Sequence, residues 1–227
     1  MIKTPCPLCS STGPSDYHTD AYRDYLICPV CDLVFAHPNS LLSREEEFRR
    51  YEFHENNLED AGYRTFLQKL CAPMLQRLNP ESKGLDFGSG PGPLLQRMFE
   101  EQGHDISIYD SFYATDISVF DYQYDFITTS EVVEHLHRPW DELSRLWRSL
   151  KPGGHLGIMT SMRHAEIDFS SWHYKKDDTH VIFFSPKTMQ WLAECWDAKL
   201  EVLNHSVVIF QKDDVTDPRE DSNPRLV

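Results

Sequence analysis

The chain has 227 residues, 40 % of them hydrophobic, and its 22 Lys and Arg against 36 Asp and Glu give a formal net charge of −14. That is room for one domain with a proper core plus a small appendage, and the acidity works against a phosphate backbone as main partner, since non-specific nucleic-acid affinity comes from clustered cations. No run approaches the ~18 apolar residues needed to span a bilayer, and the polar N-terminus lacks a signal-peptide core, so the sequence reads as soluble and cytoplasmic, with no membrane partner.

The first motif in chain order is a pair of C-x-x-C knuckles, Cys6-Pro7-Leu8-Cys9 and Cys28-Pro29-Val30-Cys31, separated by eighteen residues. Each knuckle places two thiolates on one tight turn, so two of them close a tetrahedron around Zn²⁺; Cys6, Cys9, Cys28 and Cys31 are the candidate ligands of a zinc ribbon over residues 1–40. Two disulfides, or iron in the same ligand set, are the alternatives. Tyr25 to Ile27 and Leu33 to Phe35 read as the strands entering and leaving the second knuckle. So short a segment buries little apolar surface alone, and the metal is expected to supply its folding energy. Cys71 and Cys195 stand alone on helical patterns and read as core.

Residues 41–80 read as a helical linker or cap. A polar helix around Ser43 to Tyr51 carries Glu45, Glu46 and Glu47 in its first turn and suits a solvated face. Tyr63, Phe66, Leu67, Leu70, Met74 and Leu78 then recur at helical spacing, a long amphipathic helix with Pro73 inside it, ended by Asn79-Pro80. Tyr51, His54 and Tyr63 are candidates to line a site, or plain surface and core residues.

The main domain is expected over 81–212. A short apolar run, Gly84 to Phe87, breaks into glycines at 88, 90 and 92 before an amphipathic segment from Pro93: strand, tight turn, helix start. Such glycines let the backbone take φ > 0 and approach a ligand, while the helix aims free N–H groups at the same spot. A dinucleotide fingerprint would want its third glycine at 93, where this chain has proline. The strand Ile106 to Tyr109 ends at Asp110, whose carboxylate suits a ribose diol. Only about a dozen residues separate it from the next strand, Tyr124 to Ser130. Glu131-Val132-Val133-Glu134-His135 follows. If this run is helical, Glu131 and Glu134 or His135 fall on neighbouring faces, a spacing that suits one divalent ion. A helix over 139–150, the turn Lys151-Pro152-Gly153-Gly154 and a strand from His155 to Thr160 come next. Ser161 to Asp178 has little apolar periodicity but holds His164, Trp172, His173 and Tyr174 and precedes His180. Insertions there fall beside the ligand crevice of an α/β sheet. Ser185-Pro186 reads as N-cap and first residue of a helix carrying Met189, Leu192 and Trp196. Strands near 200–203 and 207–210 are expected to close the sheet as an antiparallel pair. The polar tail, 213–227, is expected to be disordered.

The G-x-G-x-G loop after Asp86, Asp110, the Tyr124–Ser130 strand with its following Glu and His, and LKPGG before a strand together resemble the class I S-adenosylmethionine-dependent methyltransferases. The likeness runs from Gly84 to about Thr160 and is similar to methyltransferases of small molecules such as ubiquinone precursors. It implies an α/β, Rossmann-like sheet joined to the N-terminal zinc ribbon and helical linker, and S-adenosylmethionine held by Asp86, Gly88, Ser89, Gly90, Gly92, Asp110 and Ser130. Some relatives with an ExxEH run are similar in holding a metal there, which makes Glu131, Glu134 and His135 candidates for a second divalent ion. The family usually places a helix and a third, acid-bearing strand where this chain has only Ser111 to Gln123; Asp116 or Asp121 could stand in for that acid, and the sheet edge is expected to be trimmed. The sulfonium already activates the methyl group, so the protein has to hold an acceptor in line and exclude water. His135, whose reference pKa of about 6.5 lies close to working pH, is the first candidate base, with His180 second and Glu131 beside them. A small-molecule O or N acceptor is expected. An RNA- or protein-modifying enzyme docked by the ribbon, and a scaffold that has lost catalysis, are the competing classes. Nothing in the sequence fixes the oligomeric state.

Overall fold

The computed structural model of the protein describes residues 4–51 and 59–214. His54, the side chain of Tyr51 and the tail from 215 onward lie outside the described residues.

Six strands form the main sheet, in the order β5 (Asp105–Tyr109), β4 (Lys83–Phe87), β6 (Tyr124–Ser130), β7 (Leu150–Met159), β10 (Val207–Gln211) and β9 (Lys199–Val202). β5, β4, β6 and β7 run parallel, while β10 lies antiparallel between β7 and β9. The central strands are buried along their length because helices cover both faces, which is why they read as continuous apolar runs. On one face α2 (Ala61–Leu75) and α3 (Leu94–Glu100) pack Leu67, Leu70, Met74, Leu95, Met98 and Phe99 onto Ile106, Phe126, Met159 and Ile209. Asp60 caps α2 by accepting from the Gly62 and Tyr63 N–H groups. Gly157 of β7 lets α2 come this close: a Cβ there would lie 2.7 Å from Met74 Sδ and 2.9 Å from Leu70 Cδ1. On the other face lie α4 (Pro139–Arg148) and α5 (Pro186–Trp196), the latter started by a Ser185–Thr188 capping box. Cys71 sits in the first of these cores, and burial raises its thiol to about 12. Among the described residues no helix is long and apolar enough to cross a membrane.

Local detail departs from the sequence reading in two places and follows it in a third. Lys151–Gly154 belongs to β7, but between Tyr124 and Phe126 of β6 the partner advances from Leu150 to His155, so these four residues bulge from the ladder, with Gly153 at φ +76°. The run 131–135 is not an α-helix: Glu131 takes φ +53°, and a single 3₁₀ turn spans Val133–His135. Between β5 and β6 lie an isolated bridge of Asp110 with Ala114 and a 3₁₀ turn at Ile117–Asp121 but no further strand, which leaves β5 on the sheet edge, as the short spacing implied.

The N-terminal module contributes β1 (Ser15–Thr19), β2 (Asp24–Ile27) and β3 (Val34–Ala36), an antiparallel set around the two knuckles. Its sheet is completed by β8 (Ile182–Phe183), which pairs with Val34 and Phe35 from the far end of the chain. Neither β1, which is polar, nor the two-residue β8 shows a strand pattern of its own. Leu26, Leu33 and Phe35 join the core that contains Leu143, Leu156 and Phe184.

Candidate active site

At the carboxyl ends of β4, β5 and β6 lies a cavity of about 970 Å³, near the upper end of the ~300–1,000 Å³ of ligand sites. Gly88, Gly90, Asp110 and Ser130 line it, as do Glu131, His135 and His180; Asp86, Ser89 and Gly92 do not. Tyr63 and His173 also line the wall, whereas Asp116, which caps Ser118, and Asp121 are absent from it. The aromatic rings of Phe87, Tyr109, Phe112 and Tyr113 flank the end nearest Asp110.

The glycine loop is built differently from its reading in sequence. Gly88 takes φ +81° and Gly90 φ +64°, but Gly92 does not take a positive φ. A Cβ on Gly88 would meet Val132 Cγ2 at 2.2 Å, so the space it vacates is filled by the loop after β6. Asp86 lies beneath the loop, 3 % exposed, accepting from Thr128 Oγ1 at 3.0 Å, and burial pushes its carboxyl up to about 7. Asp110 accepts from Gly90 N at 3.0 Å through Oδ2, and from Phe112 N and Tyr113 N at 2.8 and 3.1 Å through Oδ1. These three donors fix the carboxylate plane, and of its roughly four lone-pair sites one remains, on Oδ2, for a ligand hydroxyl. Ser130 Oγ is buried at the cavity wall with no hydrogen-bond partner among the described residues, a polar group that a ligand would satisfy.

At the opposite end Tyr174 is the hub. Its hydroxyl sits between the carboxylates of Glu131, at 3.2 Å, and Glu134, and 3.1 Å from Thr160 Oγ1, which itself donates to Glu134 at 2.9 Å. Burial raises Glu131 to about 8, helped by Glu134, and raises Glu134 to about 7. His135 Nδ1 donates to Thr179 O at 3.0 Å and His180 Nδ1 to Tyr174 O at 2.7 Å, which places the neutral lone pair of each ring on Nε2. The two rings meet edge to face, with centroids 4.7 Å apart. Burial, reinforced by His135, lowers His180 to about 4. Glu134, His135 and His180 each bring one donor atom within 4.8 Å of the others; Glu131, expected in such a set, is held by Tyr174 outside it. The sequence marks Tyr174 only as one aromatic in an aperiodic stretch, and nothing in it points to the hub.

The helix α1 (Arg44–Tyr51), expected to be a solvated face, instead sends Arg44 and Glu47 to the cavity rim. Glu47 meets His137 Nε2 at 2.5 Å and raises the imidazole's pKa through that bond.

Away from the cavity, Cys6, Cys9, Cys28 and Cys31 form one cluster. The Sγ separations are 3.5 Å for Cys6–Cys31 and 3.4 Å for Cys9–Cys28. A disulfide needs about 2.05 Å, whereas a tetrahedron with Zn–S near 2.3 Å has edges of roughly 3.8 Å. All four are free thiols. The donor set therefore fits a four-thiolate metal.

A family model described as a methyltransferase domain matches residues 60–204. Among solved structures, the 1,6-didemethyltoxoflavin-N1-methyltransferase of Burkholderia thailandensis, with bound 1,6-didemethyltoxoflavin and S-adenosylhomocysteine, is 15 % identical. The match covers 88 % of this chain and 99 % of that one, with a TM-score of 0.53. A provisionally assigned sarcosine dimethylglycine methyltransferase from Galdieria sulphuraria is 17 % identical, with coverage of 75 % and 98 % and a TM-score of 0.51. A search of curated proteins finds no match. At these identities the structures speak for the fold, and the family match speaks for the chemistry. With the glycine turn, the sheet order and the methyltransferase-domain match over residues 60–204 in agreement, the chain belongs to the class I S-adenosylmethionine-dependent methyltransferases.

Proposed function

We propose that the protein methylates an O or N atom of a small molecule bound in the cavity. The observation that carries this is that one cavity joins the Gly88–Gly90 turn and Asp110 at one end to His135, His180 and Glu131 at the other. Bound there, S-adenosylmethionine supplies a sulfonium-activated methyl group. Gly88 and Gly90 shape the turn against its amino-acid end, Asp110 receives a ribose hydroxyl, and Ser130 Oγ gains the partner it lacks. His135 Nε2, its lone pair set by the Nδ1 bond, takes the acceptor's proton, with His180 as the second candidate and the buried Glu131 beside them. The cavity walls orient the acceptor. An acidic chain favours a small molecule over a nucleic acid.

Calorimetry with S-adenosylhomocysteine tests the cofactor half. Binding is expected in the wild type and at least about tenfold weaker in Asp110→Ala, the loss of a charge-assisted hydrogen bond; no heat at millimolar ligand with the cysteine module intact overturns the reading. Transfer of a tritiated methyl group into fractionated extract then sorts acceptors, and undiminished turnover in His135→Ala removes it as the base.

The cysteine cluster holds Zn²⁺ in this reading. The convergence of Glu134, His135 and His180 also supports a second divalent ion, with both imidazole Nδ1 atoms tied to carbonyls as metal-bound histidines usually are. In that case His135 is a ligand rather than the base. Manganese titration followed by electron paramagnetic resonance decides: a saturable site lost in His180→Ala supports the ion, and absence of binding removes it.

A further inference from the structure

The hairpin between β1 and β2 reaches out of the cysteine module to the loop that carries Tyr174 and His180. Arg23 on that hairpin is 8 % exposed and donates to four main-chain carbonyls of the loop. Nη1 reaches Asp178 O at 3.2 Å and His180 O at 2.9 Å; Nη2 reaches Asp177 O at 3.0 Å and Lys175 O. Beside it, Asp20 pairs with the buried Lys175 Nζ, while its other oxygen accepts from the Tyr22 and Arg23 N–H groups, both at 2.9 Å. A planar fork with five fixed donors is suited to gathering carbonyls that would otherwise point apart, and an ammonium group is not.

Two neighbouring carbonyls of the same loop, Tyr174 O and Thr179 O, are the acceptors that fix His180 and His135 with Nδ1 protonated. We propose that Arg23 is a positioning residue: by holding the 174–180 loop from the cysteine module, it sets the tautomer of both site histidines and so leaves the lone pair of each on Nε2. The module is then a structural part of the acceptor end of the cavity. This rests on the proposed working roles of His135 and His180, but it is measured without cofactor or acceptor, so its failure and a failure of methyl transfer are told apart.

The experiment is long-range ¹H–¹⁵N correlation of the histidine rings in zinc-loaded protein free of other divalent ions. In the wild type both rings are expected as the Nδ1–H tautomer. In Arg23→Ala both should move toward the Nε2–H form common in solvent, with hydrogen exchange at the His180 and Val181 amides faster by on the order of tenfold and the main-sheet amides unchanged. S-adenosylhomocysteine affinity should stay within about twofold, since Arg23 does not line the cavity. Arg23→Lys should rescue only in part. Arg23→Lys, which keeps the charge but cannot reach four carbonyls at once, is the milder variant and decides the matter if Arg23→Ala fails to fold. Rings that remain Nδ1–H in these variants, a wild type already in the Nε2–H form, or exchange that rises evenly over the whole chain would each overturn the proposal.

Discussion

Replacing Gly88 by alanine separates the two reasons a glycine can stand at the turn. Its φ of +81° disfavours any L side chain by ~1–2 kcal/mol. The added Cβ would also lie 2.2 Å from Val132 Cγ2, 2.7 Å from Cγ1 and 3.0 Å from Cβ, well inside contact distance. Relieving such overlap by shifting the backbone after β6 costs ~1–3 kcal/mol. The total, about 2–5 kcal/mol, is a large share of the ~5–15 kcal/mol that holds a domain together. Urea denaturation of the zinc-loaded protein should show this loss, and Val132→Ala in the same chain should recover the overlap part. That recovery follows because truncation removes both Cγ atoms and leaves only the backbone penalty and the 3.0 Å contact. With Val132→Ala measured alone, the four stabilities form a cycle whose coupling term is the overlap itself. A coupling near zero, or Gly88→Ala within about 0.5 kcal/mol of wild type, would refute the idea that Val132 claims this space.

Asp86 should make the protein less stable as pH rises. Its folded pKa of about 7 lies above the usual value near 3.9, so the protonated form is favoured in the fold: stability is full below about pH 4 and falls through pH 7, by up to about 4 kcal/mol for three pKa units. Asp86→Asn should flatten that slope, and a gap between variant and wild type that is equal at pH 5 and pH 8 would contradict it. Purified under reducing conditions, the chain should carry one equivalent of zinc, lost with Cys28→Ser. Stripping it with a chelator should unfold the module and lower overall stability, because β3 pairs with β8. Metal-free, fully folded protein would exclude that role. Breaking the Glu47–His137 pair by Glu47→Gln should lower the His137 pKa, followed by ring titration, because the carboxylate is the main influence holding it up; no change would show that the pair does not persist in solution.

Periodic features were legible before any fold was known. Gly84 to Phe87 as a buried strand, α2 with its apolar stripe, the Ser185 cap, the C-x-x-C pairs and the antiparallel closing strands all rest on spacings that the backbone geometry of one element imposes. The short gap after Asp110 likewise limited what the sheet edge could hold. Whether Glu131 to His135 is helical is not legible in its spacing, and a left-handed residue and one 3₁₀ turn break the helical period there.

The amino-acid sequence by itself determined most strands of the main sheet, the turn that begins the cofactor end and the four sulfur donors, since each is written in neighbouring residues. Only the tertiary structure decided that Tyr174 joins Glu131 to Glu134, that His180 meets His135, that Val132 fills the space beside Gly88, and that Arg23 grips a loop some 150 positions away. Those pairs share no period or motif. They meet because the sheet brings chain ends and long connections to one edge, and side chains buried there must find partners wherever the fold supplies them.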